Sequence, residues 1–142
     1  IARIHEQKGL VLIPHPFSRG VPARILEGKL REIVDQVDVI EGYNARAPFA
    51  ADDRRAREFA AQNGLPVAAG SDGHFVCEIG RAWTELEDFQ STQEFLAKLR
   101  RARLHFTTKT SYLLPALTVA SITPLTAWRR LGQILRRSWF RK

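Results

Sequence analysis

The chain has 142 residues, enough for one domain with a sizeable core. At 44% hydrophobic and 26% charged it has the composition of an ordinary globular domain, which excludes wholesale disorder, and its single Cys77 excludes an internal disulfide framework. The formal charge of +7 is unevenly placed: residues 1–94 carry 11 Lys/Arg against all 15 Asp/Glu, a balance of −4, whereas residues 95–142 carry 11 Lys/Arg and no acid, a balance of +11. Such a split points to an enzyme-like body joined to a basic segment suited to phosphate or anionic lipid. The chain opens on Ile1, contains no Met and shows no signal-peptide pattern. The expectation is a segment cut from a longer cytoplasmic protein.

Residues 10–14 (Leu-Val-Leu-Ile-Pro) form a short apolar run, the pattern of a strand buried on both faces. Ile25, Leu26, Leu30, Ile33 and Val34 recur at helical spacing to about Gln36. Residues 37–41 predict a second strand, and a helix opened by Asp52 or Asp53 closes at Asn63-Gly64. Residues 65–69 predict a third strand, followed by a turn at residues 70–74, and residues 82–86 a further short strand. Ser91-Thr-Gln-Glu94 has the spacing of a capping box that opens a helix, and residues 104–107 predict a last strand. Alternating strands and helices imply an α/β fold of parallel βα units. From Leu113 an apolar stretch of 15 residues is interrupted by Pro115 and Pro124, which argues against a full membrane span there. Leu125, Trp128, Leu131, Leu135 and Trp139 then alternate with arginines in the pattern of a basic amphipathic helix.

Three polar clusters follow predicted strands: His15, then Glu41-Gly-Tyr-Asn44, then Ser71-Asp-Gly-His74. In parallel α/β folds, sites form where strands end and the chain turns outward. Imidazoles and carboxylates together suit zinc, manganese or iron. In an Asp-x-His pair both side chains leave the strand end on one side, about 6–7 Å apart. Against this, His-Pro is commonly a turn, Asp72 is suited to capping its own turn, and Glu41 is suited to pairing with Arg46 while Asn44 holds a loop. His5 and His105 read as surface or core residues, and Cys77 as a small buried side chain.

Taken in order, residues 9–17, 38–44 and 60–74, with Glu78-Ile-Gly-Arg-Ala-Trp-Thr-Glu85 after them, resemble the polymerase and histidinol phosphatase (PHP) superfamily of metal-dependent phosphoesterases. The resemblance covers residues 1–110. It implies the C-terminal part of a distorted (β/α)7 TIM-like barrel, with residues 111–142 as a basic helical extension. It further implies a di- or trinuclear site in which His15, Asp72 and His74 each bind a metal, with Glu41, Asn44 and Arg46 in a supporting or phosphate-facing role. The family's earlier His-x-His, Asp, His and Glu ligands have no counterpart here. The expected activity therefore belongs to a longer enzyme, and this segment alone is expected to be inactive.

That activity is hydrolysis of a phosphomonoester, a phosphorylated small molecule or nucleotide, by metal-activated water. The alternatives are an exonuclease-type phosphodiesterase, in either direction, and a non-catalytic remnant or binding module. In the module, Arg129, Arg130, Arg136 and Arg137 with Trp128 and Trp139 would hold the tail on an anionic membrane surface. Docking of the tail on the body, and nucleic acid as its partner, complete the alternatives, nucleic acid ranked last.

Overall fold

The computed structural model describes residues 1–19 and 24–110, within the unit Ile1–Thr110. The basic segment 111–142, with its arginines and tryptophans, lies outside the described residues. The elements run α1 (Ala2–Glu6), β1 (Leu12–Ile13), α2 (Glu27–Glu32), β2 (Val39–Asn44), α3 (Ala50–Gln62), β3 (Val67–Gly70), β4 (Ala82–Glu85), α4 (Thr92–Leu99) and β5 (Arg103–Phe106). Strands β1, β2 and β3 form a parallel sheet in that order, and β4 pairs antiparallel with β5.

Helix α3 is the longest and shows how the sequence sets its own limits. Asp52 and Asp53 sit in its first turn, where the helix dipole favours negative charge. Its end is a Schellman motif: Gly64 takes φ +64°, its N–H reaches Ala61 O at 3.3 Å, and Leu65 N–H reaches Ala60 O at 2.9 Å. Between these ends Ala56, Phe59 and Ala60 bury one face against Ile40, and Phe17, Leu30 and Val37 complete the core. Leu30 is fully buried. Leu30→Ala is therefore expected to cost about 2–5 kcal/mol, read from the urea midpoint of the 142-residue chain. A cost under about 1 kcal/mol would mean that the site collapses around the deletion and that α2 contributes little to the core.

The parallel βα expectation holds for β1 to β3 and fails afterwards. Strand β5 returns antiparallel beside β4, and β4 does not extend the first sheet by a backbone ladder. Instead, hydroxyls stitch the two sheets. Thr84 Oγ1 accepts from Ala69 N–H at 2.9 Å and lies 3.3 Å from Ala69 O, while Ser71 Oγ joins Ala82 through its O (2.9 Å) and N–H (3.2 Å). A barrel needs every strand edge to be paired in a ring. Here three parallel strands and an antiparallel pair leave the outer edge of β1 without a ladder partner among the described residues, and no barrel closes. The expected TIM-like barrel portion is thus replaced by a small α/β domain.

Strand β1 is also shorter than expected and not buried on both faces, since Leu12 is 44% exposed. That is the position of an edge strand. The expected helix to Gln36 divides into α2 and a separate 3-10 turn at Val34–Gln36. None of the described helices is long and apolar enough to cross a membrane.

Candidate functional site

Because β1, β2 and β3 are parallel, their C-terminal ends arrive at one edge, and each delivers polar residues there. His15 leaves β1 with φ 32°, and Asp72 leaves β3 with φ 49°. The left-handed region is uncommon for residues with a Cβ, and such strain persists only where the surroundings enforce it. Between them, β2 carries a bulge. Glu41 pairs with Ala68 and Tyr43 with Ala69, so Gly42 is an extra residue in the ladder. In a regular strand Glu41 and Asn44, three residues apart, would point to opposite faces. The bulge reverses the parity and brings both side chains to one face. Gly42 is required there, since a Cβ would stand 2.3 Å from Val67 Cγ1 and 2.8 Å from Arg57 Cγ.

Asn44 is the hub of the resulting cluster and is buried. Its Nδ2 donates to Glu41 Oε2 at 2.9 Å and to Asp72 Oδ2 at 3.3 Å, while its Oδ1 accepts from the N–H groups of Arg46 and Ala47 at 2.9 and 2.8 Å. Glu41 Oε2 also accepts the backbone N–H of His15 at 2.7 Å. Gly70 makes room for this carboxylate, because a Cβ at that position would lie 2.4 Å from Glu41 Oε1. Asp72 Oδ1 lies 3.5 Å from His74 Nε2. Burial pushes the Glu41 carboxyl above its ordinary value, and the hydrogen bonds from Asn44 and His15 offset only part of that rise.

The turn bearing Asp72 and His74 is held from beneath. Glu78 is completely buried, and its Oε2 accepts the backbone N–H of His74 at 2.8 Å and of Phe75 at 2.9 Å. Arg46 Nη1 reaches both Glu78 oxygens at 2.6 Å. Burial raises the Glu78 carboxyl, but the two N–H groups and the Arg46 charge outweigh it and leave Glu78 below the ordinary carboxylate range.

Of the residues singled out in the sequence, Glu41, Asn44, Asp72 and His74 form one hydrogen-bonded or ion-paired series, joined to His15 through its backbone. Arg46 does not pair with Glu41; its guanidinium is buried against Glu78. Cys77 is exposed and not buried, because it sits in a surface 3-10 turn between Val76 and Glu78. Glu78 is the residue that sequence reasoning missed. Its signal is spacing: a Glu three residues after Phe75 can reach back to that residue's N–H, as in one half of a capping box.

The donors fit a divalent cation in part. Asp72 and His74 are a carboxylate and an imidazole of the right kind, and His15 Nδ1 is buried with no hydrogen-bond partner. Among the described residues, however, no three His, Cys, Asp or Glu side chains gather closely enough to enclose one ion. The set is partial.

A family profile described as PHP-associated matches residues 51–104, which associates the chain with the PHP family. The uncharacterized protein MJ0417 of Methanocaldococcus jannaschii is 32% identical over 108 residues, spanning 69% of this chain and 46% of that protein. The crystal structure of PsfC from Pseudomonas syringae PB-5123 superposes with a TM-score of 0.53 at 22% identity, over 89% of this chain and 50% of that one. The chain thus spans about half the length of MJ0417 and of PsfC.

Proposed function

We propose that this chain is part of a longer, cytoplasmic metal-dependent phosphoesterase acting on a phosphomonoester of a small molecule or nucleotide, to which it contributes His15, Asp72 and His74 as cation ligands. The observation that carries the proposal is the convergence of Glu41, Asn44, Asp72 and His74 at the ends of parallel strands. Left-handed backbone at His15 and Asp72 supports it, since strain of this kind concentrates at functional sites. The PHP association supports the choice of chemistry. Divalent ions bound there would supply a water of lowered pKa and a clamp on phosphoryl oxygens.

This chain's own residues have separate tasks. Asn44 keeps Glu41 and Asp72 side by side, donating to both, and Glu78 fixes the backbone of His74. The donor set is incomplete, so the 142-residue chain alone should not turn over substrate. In the full-length protein, Asp72→Ala should lower kcat/KM for 4-nitrophenyl phosphate by about 100-fold or more and reduce the metal bound per chain. Unchanged turnover and metal content in that variant would remove the assignment.

A further inference from the structure

A cavity of about 330 Å3 opens between the end of β2, the first two turns of α3 and the residues after β5. Apart from Asn44 at its edge, it uses none of the side chains assigned above, and it goes beyond the phosphoesterase reading. Ala50, Asp53 and Arg57 line it at positions i, i+3 and i+7, one stripe of α3 distinct from the Ala56-Phe59-Ala60 stripe that packs the core. The bulge at Gly42 that sends Glu41 and Asn44 one way turns Tyr43 toward this stripe.

Two aromatic rings and two cations define its chemistry. Phe106 stacks on Tyr43 at 4.8 Å with planes 19° apart, yet remains 58% exposed, so a ring face stays open beside the cavity. Arg57 lies 4.1 Å over the Tyr43 centroid, pinned by one bond from Nη1 to Gly42 O at 3.0 Å. A guanidinium has five N–H donors, so most of its donors stay available to a carboxylate. Lys109 is anchored by Asn44 O and by Asp53 and adds a second positive charge at the rim. Two cations face one carboxylate, leaving the cavity a net positive charge between walls that include Ala45 and Ala82.

We infer that this cavity binds a small planar organic anion, an arenecarboxylate-like molecule, its carboxylate on Arg57 and its ring against Phe106. A volume near 330 Å3 lies at the small end of the range for ligand pockets, which suits a single-ring ligand. Burial pushes the Asp53 carboxyl above its ordinary value, against the opposing hydrogen bond and charge of Lys109.

The test is 19F NMR titration of 4-fluorobenzoate into the 142-residue chain. Saturable binding is expected, weakened about tenfold or more by Arg57→Gln, which removes a charge-assisted bond, and about threefold or more by the exposed-face change Phe106→Ala. Circular dichroism checks each variant's fold, and Phe106→Ala carries the test if Arg57→Gln unfolds. Absence of saturable binding, equal binding of 4-fluorobenzylamine, or equally effective displacement by inorganic phosphate would each overturn the inference. None of these outcomes depends on metal or turnover, so their failure is separable from that of the phosphoesterase reading.

Discussion

Glu78→Ala is expected to destabilise the domain by about 3–5 kcal/mol, measured as a shift in the urea midpoint followed by circular dichroism. The magnitude comes from what is left behind. Arg46 is buried and loses its ion pair with the Glu78 carboxylate, and the N–H groups of His74 and Phe75 lose their acceptor. Replacing both partners with Leu should cost less than Glu78→Ala alone, because no uncompensated buried charge remains. If the double variant were the worse of the two, the pair would be shown to matter for shape and not for charge. The pH dependence has a definite sign. Glu78 sits below its unfolded value, so the stability it contributes is complete above about pH 4.3 and is lost as pH falls through its lower folded value. Glu78→Gln should flatten that part of the acid limb.

The same residue shows where sequence patterning stops. End signals locate the close of α3, because Asn63-Gly64 closes it through local backbone bonds that any chain with those residues can make, whereas its opening lies at Ala50, ahead of the expected Asp52 or Asp53. They also place His15 and Asp72 just after strands, but β2 runs on to Asn44, so Glu41 lies within the strand and not at its end. What they miss is non-local. Strand β5 pairs antiparallel with β4, and hydroxyls of Thr84 and Ser71 hold β4 to β3; nothing in residues 82–86 encodes either partner. A barrel inferred by resemblance therefore gives way to two small sheets. The buried Arg46–Glu78 pair joins residues 32 positions apart, beyond the reach of any local pattern. Ser91 illustrates a smaller gap. Its Oγ does accept the Glu94 N–H at 3.2 Å, but Glu94 returns to the N–H of Gln90 at 2.8 Å and not to that of Ser91.

The alternation of β2 explains why Asn44, expected in a loop but the last residue of the strand, is so informative. A regular strand would have parted it from Glu41, and the Gly42 bulge joins them. Asn44 then acts as a neutral spacer between two carboxylates that would otherwise repel each other.

Asn44→Asp isolates that role, because Asp keeps the acceptor for Arg46 and Ala47 N–H while losing the donor to Glu41 and Asp72. It also places a third carboxylate in the cluster. The expected cost at neutral pH is about 2–4 kcal/mol, from a lost charged hydrogen bond and like-charge repulsion. The sign with pH is opposite to that of Glu78. Glu41 is already above its ordinary value, and a further negative neighbour raises it more, so the folded state holds protons that the unfolded chain has released. Stability should therefore recover as pH falls through the raised folded value toward about 4.3. Manganese ions should likewise raise the melting temperature of Asn44→Asp by more than that of the wild-type chain, since a cation relieves the same repulsion. A variant as stable as wild type at neutral pH would refute the spacer role. A melting temperature equally insensitive to manganese in both proteins would count against this strand edge as a place for divalent cations.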